Sequence, residues 1–435
     1  MADDNKPRCS FCGVEKSADV PLIAGAEGRI CEACVVLAHQ VVSSWGQRRK
    51  SKEVANELRT PAAIKLHLDD YVIGQDTAKE TLAVAVYNHY LRLINQDKLE
   101  PFCDQGSIEL EKSNVLMAGP SGTGKTLLVK SLARILGVPI VIADATTLTQ
   151  AGYVGDDVDT VLARLLEAAD GDVQRAQWGI VYIDEIDKIA KRGGGGQAVR
   201  DIGGEGVQQA LLKMVEGAEI KLPKSGRKRE GGEEVVIDTT NILFIVGGAF
   251  PGLEELIASR VRPEKRGIGF HAQEIDRSEL TTAQLMEAMQ PDDLQKFGLI
   301  PEFVGRFPVI TFLRDLDVSM LLRILTEPRN ALVKQYKQLF AYQKVELDFA
   351  DNALQHIAEE ALKRGTGARG LRGIVEAALR HTMFELPEKT HLRRCTIEAD
   401  DVLPSGLRVS EIFDENSSDL IADPKQADAK QIECA

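Results

Sequence analysis

The sequence predicts an α/β protein: a parallel β-sheet flanked by helices, then a smaller, mostly helical C-terminal domain, with a treble-clef or ribbon-like zinc module at the N-terminus. Between about residues 61 and 308, short apolar runs alternate with amphipathic helical patterns. Such alternation is typical of a parallel sheet covered on both faces. From about residue 315 to 403 the pattern is mostly helical, and four of the seven cysteines lie in two pairs near the N-terminus.

The strand and helix predictions follow from the length and spacing of these apolar runs. A run of four to six β-branched or other apolar residues predicts a buried strand, and longer runs with helical spacing predict helices. In the first region the predicted strands are Val115–Ala118, Ile140–Ala143, Ile180–Ile183 and Ile242–Val246, and the predicted helices are Leu127–Leu136, Val158–Ala169 and Val207–Val215. In the second they are helices Met320–Leu339, Ala350–Lys363 and Leu371–Leu386, with strands Lys344–Phe349 and Cys395–Ile397.

Changes in composition divide the chain into five predicted parts. These are a zinc-binding domain over 1–45, a polar linker over 46–61, a large domain over 62–314, a small helical domain over 315–404 and a disordered tail over 405–435. The glycine-rich stretch Gly193–Gly196 and the polar stretch Ser225–Glu234 are predicted to be mobile loops.

The bulk composition favours a cytoplasmic globular protein. Of the 435 residues, 44% are hydrophobic and 27% are charged, and the net charge is −13. The chain has no apolar run near the roughly 18 residues of a membrane span, and its polar first residues do not predict a signal peptide. An acidic chain repels phosphate backbones overall, so nucleic acid is an unfavourable main partner unless a basic channel is present.

A phosphate-binding motif occupies the turn after the first predicted strand. The segment Gly119-Pro120-Ser121-Gly122-Thr123-Gly124-Lys125-Thr126 fits the pattern G-x-x-x-x-G-K-[ST] between a strand and a helix. Its glycines let backbone N–H groups surround phosphate oxygens at a helix N-terminus. Lys125 is then expected to reach the β- and γ-phosphates of ATP, and the Thr126 hydroxyl to bind Mg²⁺.

Two adjacent carboxylates at the end of a buried strand supply the second half of this site. The strand Ile180–Ile183 leads directly into Asp184 and Glu185. Without the phosphate-binding motif, adjacent acids after a strand would be read as a solvated turn. With it, we expect Asp184 to hold Mg²⁺ and Glu185 to polarise the attacking water, so that Lys125, Asp184 and Glu185 are catalytic.

The paired cysteines predict a structural zinc site. Cys9 and Cys12 form one Cys-x-x-Cys pair, Cys31 and Cys34 form another, and 18 residues lie between the pairs. This spacing is usual for a four-cysteine Zn²⁺ site, in which the metal replaces much of the core of a short module. The other three cysteines, Cys103, Cys395 and Cys434, are interpreted as buried or incidental thiols.

Taken together, these motifs resemble the AAA+ family, and within it the ClpX-type unfoldases, over about residues 7 to 405. The resemblance implies a homohexameric ATPase that uses ATP, Mg²⁺ and a structural Zn²⁺. It also implies partners: the ClpP peptidase, tagged or unfolded protein substrates, and adaptors captured by the zinc module. The apolar residues 35–37 and 41–42 of that module would form its dimer face or its own core.

The resemblance assigns substrate contacts to two segments. Tyr153 and Val154, between Gly152 and Gly155, match the axial pore loop that grips polypeptide through apolar surface. Arg227, Lys228 and Arg229 lie where ClpX-type proteins usually carry Arg-Lys-His at the pore entrance. Arg229 therefore replaces a titratable side chain with a permanent cation, and the preference for substrate tags is expected to differ.

Further positions match docking and nucleotide-sensing motifs of the same family. Ile268-Gly269-Phe270 resembles the tripeptide that docks into hydrophobic clefts on ClpP. Arg306 matches the arginine finger directed at ATP on a neighbouring subunit, and Arg369 matches the second sensor. Val72 and Ile73 match the segment that packs near adenine. The strand that ends at Gly247-Gly248 has no obvious polar first sensor, and none is assigned.

The sequence therefore predicts an ATP-dependent unfoldase and translocase that delivers proteins to ClpP. Two alternatives remain. A stand-alone AAA+ chaperone would not use Ile268–Phe270, and a nucleic-acid motor of the same superfamily would need nucleic-acid-stimulated ATPase activity.

Overall fold

A computed structural model of the chain describes residues 7–17, 20–25, 28–38, 58–95, 110–149, 156–191, 204–223, 234–261, 281–388, 392–399 and 402. No helix in these ranges is long and apolar enough to cross a membrane. Residues 46–57 of the predicted linker, the glycine-rich stretch 193–196, residues 225–233 of the predicted loop Ser225–Glu234 and the tail over 405–435 lie outside the described residues. Pro61, the last residue of the predicted linker, begins a helix, and Glu234 begins a strand.

The N-terminal module consists of a short hairpin followed by a helical segment. Strand β1 (Leu22–Ala24) pairs with β2 (Arg29–Cys31) in antiparallel fashion, with Leu22 opposite Cys31. Residues 32–38 are helical. The hairpin therefore ends at one cysteine of the second pair, and the helix begins beside it.

The large region contains nine described strands. They are β3 (Val115–Ala118), β4 (Ile140–Asp144), β5 (Leu148–Thr149), β6 (Asp156–Asp157), β7 (Ile180–Asp184), β8 (Glu219–Pro223), β9 (Glu234–Asp238), β10 (Leu243–Gly248) and β11 (Val309–Phe312). Five of them form the central parallel sheet, in the order β11-β3-β10-β7-β4. A parallel strand pair, β5-β6, and a hairpin, β8-β9, lie outside it. The four predicted strands all belong to the central sheet, with ends that differ by two residues at most.

Successive side chains of each buried strand point to opposite sides of the sheet, so both faces are apolar and both are covered by helices. On β3, Val115 and Met117 pack into one apolar core, whereas Leu116 and Ala118 pack into the other. The helices of this region are Pro61–Asp69, Asp76–Asn95, Lys125–Leu136, Val158–Ala168, Val173–Gln177, Gly204–Glu216, Leu253–Val261, Thr282–Glu287, Pro291–Phe297 and Pro301–Gly305, with 3₁₀ turns at Ala145–Thr147 and Ile186–Ile189.

The C-terminal region has its own apolar core, in which Leu321, Phe340 and Leu371 are buried. The predicted helix Met320–Leu339 is wrong, because two helices occupy this stretch and Pro328 lies between them. Proline cannot donate a helical N–H and clashes with the preceding turn, so the helix ends before it. The elements here are helices Val318–Thr326, Leu332–Tyr342, Asp351–Lys363 and Ala368–Glu385, with the parallel strands β12 (Glu346–Phe349) and β13 (Arg394–Ile397).

Candidate nucleotide site and zinc centre

The phosphate-binding motif forms the connection from β3 to the helix Lys125–Leu136, as the sequence predicts. Gly122 has a φ of +81° and lies against the backbone of the C-terminal region. A Cβ at this position would lie 2.8 Å from the Thr366 carbonyl oxygen. The turn therefore needs glycine both for its left-handed conformation and for this close approach.

Lys125, the first residue of the helix, is only 8% exposed. Its ammonium donates to the carbonyl oxygens of Gly119 and Pro120, the latter at 2.9 Å. Burial lowers the pKa of Lys125, and the nearby Asp184 carboxylate opposes that shift. A buried cation held over the turn suits the binding of phosphate oxygens.

Thr126 and Asp184 meet beside this lysine. The Thr126 hydroxyl donates to Asp184 Oδ2 at 2.8 Å, although 58 residues separate the two in sequence. Asp184 Oδ1 accepts a bond from the backbone N–H of Glu185 at 3.0 Å. A hydroxyl and a carboxylate next to a phosphate-binding turn are the oxygen ligands that Mg²⁺ prefers, so these residues fit a magnesium–nucleotide complex.

Glu185 follows β7 in a left-handed conformation, with a φ of +58°. A non-glycine residue in this region stores conformational energy, and such residues cluster at functional sites. The next carboxylate, Asp187, is buried and accepts a bond from the Ala249 N–H at 3.0 Å. It therefore ties the 3₁₀ turn after β7 to the end of β10.

Arg369 reaches the phosphate-binding turn from the C-terminal region. Its guanidinium donates to Ser121 Oγ at 3.2 Å, across 248 residues of sequence. This places a cation at the site expected for the second sensor. Arg369 was predicted only from the family resemblance, because an isolated arginine near a helix start carries no local signal for such a contact.

Val72 and Ile73 are both buried and line a cavity of about 650 Å³. Arg323 and residues 327–329 of the C-terminal region also line it, and the Arg329 N–H donates to the Asp70 carbonyl at 2.8 Å. Sequence analysis missed Lys79, which is 2% exposed and donates to the Val72 carbonyl at 2.5 Å and to Asp69 at 2.6 Å. Nothing in the local sequence indicates that a lysine on this helix is buried and bonded beside the cavity.

Tyr182 was also missed, because it reads as one more apolar residue of a buried strand. It is fully buried two residues before Asp184, so both side chains point to the same side of the sheet. Burial, and after it the charge of Asp184, raises the pKa of Tyr182. The side chain therefore stays a neutral hydroxyl beside Asp184 and Thr126.

Arg306 lies away from these groups. It follows the helix Pro301–Gly305 and forms an ion pair with Glu216, the last residue of another helix, at 2.7 Å. The Arg306 carbonyl accepts from Asn114 Nδ2 at 2.9 Å. Of the predicted catalytic residues, Lys125, Asp184 and Glu185 are therefore brought together, whereas Arg306 bonds elsewhere in its own chain.

The four N-terminal cysteines converge on one point, as predicted. The Sγ atoms of Cys9, Cys12, Cys31 and Cys34 all lie within 4.8 Å of one another, and Cys12 and Cys31 are 3.6 Å apart. Tetrahedral Zn²⁺ with Zn–S bonds of about 2.3 Å would hold its sulfurs roughly 3.8 Å apart, so the thiols fit this metal. None of the described cysteines forms a disulfide.

The environments of these thiols differ. Backbone N–H donors, first that of Cys12, lower the pKa of Cys9 to about 6, whereas the neighbouring thiols of Cys12 and Cys31 raise that of Cys34 to about 12. Four crowded thiols cannot all lose their protons without a cation among them. Outside this module Cys395 is buried, and Cys103 and Cys434 lie outside the described residues.

The remaining predicted contacts lie outside the described residues. These are the pore residues Tyr153 and Val154, the cationic residues Arg227, Lys228 and Arg229, and the docking tripeptide Ile268-Gly269-Phe270.

Three stretches of the chain match known protein families. Residues 7–44 match the ClpX C4-type zinc finger, and residues 110–310 match the AAA domain (Cdc48 subfamily). Residues 316–398 match the C-terminal D2-small domain of ClpB protein.

Two curated relatives match over most of their length. The ATP-dependent Clp protease ATP-binding subunit ClpX of Azotobacter vinelandii is 69% identical over 399 residues, which cover 92% of this chain and 90% of the relative. The chain belongs to the ClpX family. A ClpX relative from Methylococcus capsulatus (strain Bath), the ATP-dependent Clp protease ATP-binding subunit ClpX 3, is 58% identical over 399 residues, or 91% of this chain and 92% of the relative.

Membership of the ClpX family makes the chain an ATP-binding AAA+ ATPase with a four-cysteine zinc finger. The predicted family, fold class and ATPase activity are therefore confirmed.

Proposed function

We propose that this chain is the ATP-driven unfoldase and translocase of a Clp protease, acting in the cytoplasm. It recognises tagged proteins, threads them through an axial pore and delivers them to the ClpP peptidase. The names of both relatives, which describe ATP-binding subunits of the ATP-dependent Clp protease, support this assignment.

The observation that carries the ATPase part is the convergence of separate elements on one turn. Lys125 and the bonded pair Thr126–Asp184 come from the sheet region, and Arg369 comes from the C-terminal helical region. In this proposal Thr126 and Asp184 hold Mg²⁺, Glu185 orients the attacking water, and Val72 and Ile73 contact adenine. Bound Mg²⁺ would supply charge stabilisation for phosphoryl transfer.

The proposed division of labour follows the predicted domains: a zinc domain over 1–45, a linker over 46–61, a large AAA+ domain over 62–314, a small one over 315–404 and a tail beyond. Arg306 bonds to Glu216 and not to its own phosphate-binding turn. We assign it to the ATP of a neighbouring subunit, which requires a closed ring, and the family implies six subunits. In that ring Tyr153 and Val154 grip substrate, Arg227, Lys228 and Arg229 receive its tag, and Ile268–Phe270 docks on ClpP.

The test is ATP-dependent unfolding of a stably folded fluorescent protein that carries a C-terminal tag. Fluorescence and peptide release are followed with and without ClpP, and Glu185→Gln is the control for hydrolysis. The proposal expects fluorescence to fall only with ATP and peptides to appear only with ClpP.

Other outcomes point to the alternatives. Unfolding without any effect of ClpP, and without any effect of Phe270→Ala on peptide release, would favour a stand-alone chaperone. ATP hydrolysis that rises with nucleic acid, while no tagged protein unfolds, would favour a nucleic-acid motor and overturn the proposal.

A further inference from the structure

The end of β10 lacks a polar side chain, and the reason lies on the neighbouring strand. The ring of Tyr182 fills the space above Gly247: a Cβ there would lie 2.2 Å from the Tyr182 hydroxyl oxygen and 2.9 Å from Cζ. Gly247 itself does not have a positive φ. Glycine is therefore needed at 247 for the space it leaves and not for its backbone conformation.

The hydroxyl that uses this space is buried and makes no well-formed hydrogen bond. Tyr182 is fully buried, and among the described residues no group meets its Oη at hydrogen-bond distance and angle, although Thr126 and Asp184 both act on it. A buried hydroxyl that lacks a partner carries a desolvation cost, which phenylalanine would avoid while filling nearly the same volume. Buried polar atoms of this kind are rare, and they call for a functional explanation.

The groups nearest to this hydroxyl belong to the nucleotide site. Tyr182 and Asp184 share one side of β7, and Asp184 is bonded to Thr126 at 2.8 Å. Both of these side chains interact with the Tyr182 hydroxyl: besides burial, Asp184 raises its pKa through its charge and as a hydrogen-bond acceptor, and Thr126 lowers it. The hydroxyl thus lies behind the two residues assigned to Mg²⁺, on the side of the sheet that carries the helix Lys125–Leu136.

We propose that Tyr182 is a positioning residue of the nucleotide site, whose hydroxyl donates to the Asp184 carboxylate and orients it when magnesium–nucleotide is bound. It supplies, from β7, the polar group that Gly247 leaves out of β10. A hydrogen bond from a neutral hydroxyl to a carboxylate is charge-assisted and fixes the orientation of the acceptor. The inference rests on the proposed roles of Asp184 and Thr126.

The test compares Tyr182→Phe with the unchanged full chain by equilibrium binding of a fluorescent ATP analogue, in Mg²⁺ and in EDTA. We expect affinity in Mg²⁺ to fall about tenfold, as for loss of one charge-assisted hydrogen bond, with affinity in EDTA unchanged. The thermal midpoint without nucleotide should stay the same or rise, because the variant removes only a buried, unpartnered hydroxyl.

Tyr90→Phe is the matched control. Tyr90 is also fully buried, but its hydroxyl donates to the Trp178 carbonyl at 2.9 Å, away from the phosphate-binding turn. This variant should lower the thermal midpoint and leave the effect of Mg²⁺ on affinity intact. Equal losses of affinity in Mg²⁺ and EDTA for Tyr182→Phe, or a fall in its midpoint like that of Tyr90→Phe, would mean a purely structural tyrosine and overturn the inference.

A steric variant and a site variant complete the design. Gly247→Ala places a methyl group where the hydroxyl lies, so it should reproduce the Mg²⁺-specific loss, and combination with Tyr182→Phe should add little to it. Fully additive losses would contradict a shared cause. If Asp184→Asn leaves the effect of Mg²⁺ on affinity intact, the assignment of Asp184 to Mg²⁺ in the proposed function is wrong. If Asp184→Asn abolishes that effect and Tyr182→Phe does not change it, the Mg²⁺ site stands and only the positioning role of Tyr182 is wrong.

Discussion

Replacement of Arg306 by alanine separates a role in the neighbouring site from a role in the fold. The Arg306–Glu216 pair is exposed, with 52% and 39% of the two side chains accessible. Exposed ion pairs contribute about 0.2–1 kcal/mol, so Arg306→Ala should lower the free energy of unfolding by no more than about 1 kcal/mol. Loss of an arginine finger, by contrast, lowers phosphoryl transfer by about a thousandfold or more.

Mixing variants tests whether the finger acts on another chain. Lys125→Ala keeps Arg306 but loses its own phosphate site, whereas Arg306→Ala keeps the phosphate site but loses the finger. In closed rings assembled at random from equal amounts, about one quarter of the interfaces pair an intact site with an intact finger. Phosphate release should therefore recover from near zero to about one quarter of the unmixed, unchanged protein.

A mixture of Lys125→Ala with Glu185→Gln is the control. Each of these changes disables the ATP site of the chain that carries it, so no interface in the mixed ring has an intact site. Co-assembly is checked by energy transfer between labelled subunits. If the Arg306→Ala mixture co-assembles and still shows no more hydrolysis than the control, Arg306 does not act across subunits and its assignment is wrong.

The other predictions concern hydrolysis, zinc and acid stability. Glu185→Gln should keep ATP affinity within a few-fold and lose at least about a hundredfold in phosphate release; unchanged release would remove Glu185 from its role. Chelation of zinc should abolish amide-exchange protection over residues 7–38 while the remaining chain still binds ATP, and loss of ATP binding would contradict an independent module. Burial lowers the pKa of His89 from 6.5 to about 3. The unfolded chain therefore binds this proton first as pH falls below about 6.5, and stability decreases towards pH 3 by up to about 1.4 kcal/mol per pH unit. In urea unfolding between pH 4.5 and 7, His89→Leu should make this decrease shallower; an unchanged slope would show that other groups cause it.

The parts of the site that sequence could predict are those with local signals. The turn from Gly119 to Thr126 is contiguous, and the strand before Asp184 is an uninterrupted apolar run, so both their position and their chemistry follow from spacing. The cysteine pairs likewise predict their own convergence. In the C-terminal region the signal at Pro328 was present but outweighed by the apolar periodicity on either side, and one helix was predicted where two exist.

The rest of the site depends on contacts between residues far apart in sequence. Glu216 meets Arg306 across 90 residues, and Gln75 bonds to the backbone of Arg314 across 239 residues. No periodicity encodes such partners, because they are set by how strands and helices pack. Tyr182 shows the same limit, since an aromatic residue in an apolar strand gives no sign that its hydroxyl is buried near the nucleotide site.

Contacts of this kind also bear on how the proposed motor would couple ATP hydrolysis to movement. Arg323 and residues 327–329 line the cavity beside Val72 and Ile73, and the phosphate-binding turn contacts Thr366 and Arg369. A ligand that contacts both regions favours the relative orientation in which both sets of contacts are made. In the proposed function, loss of the γ-phosphate would weaken contacts to Lys125 and Arg369 and leave the proposed contacts to adenine in place. The proposal therefore expects the preferred angle between the two regions to change with hydrolysis.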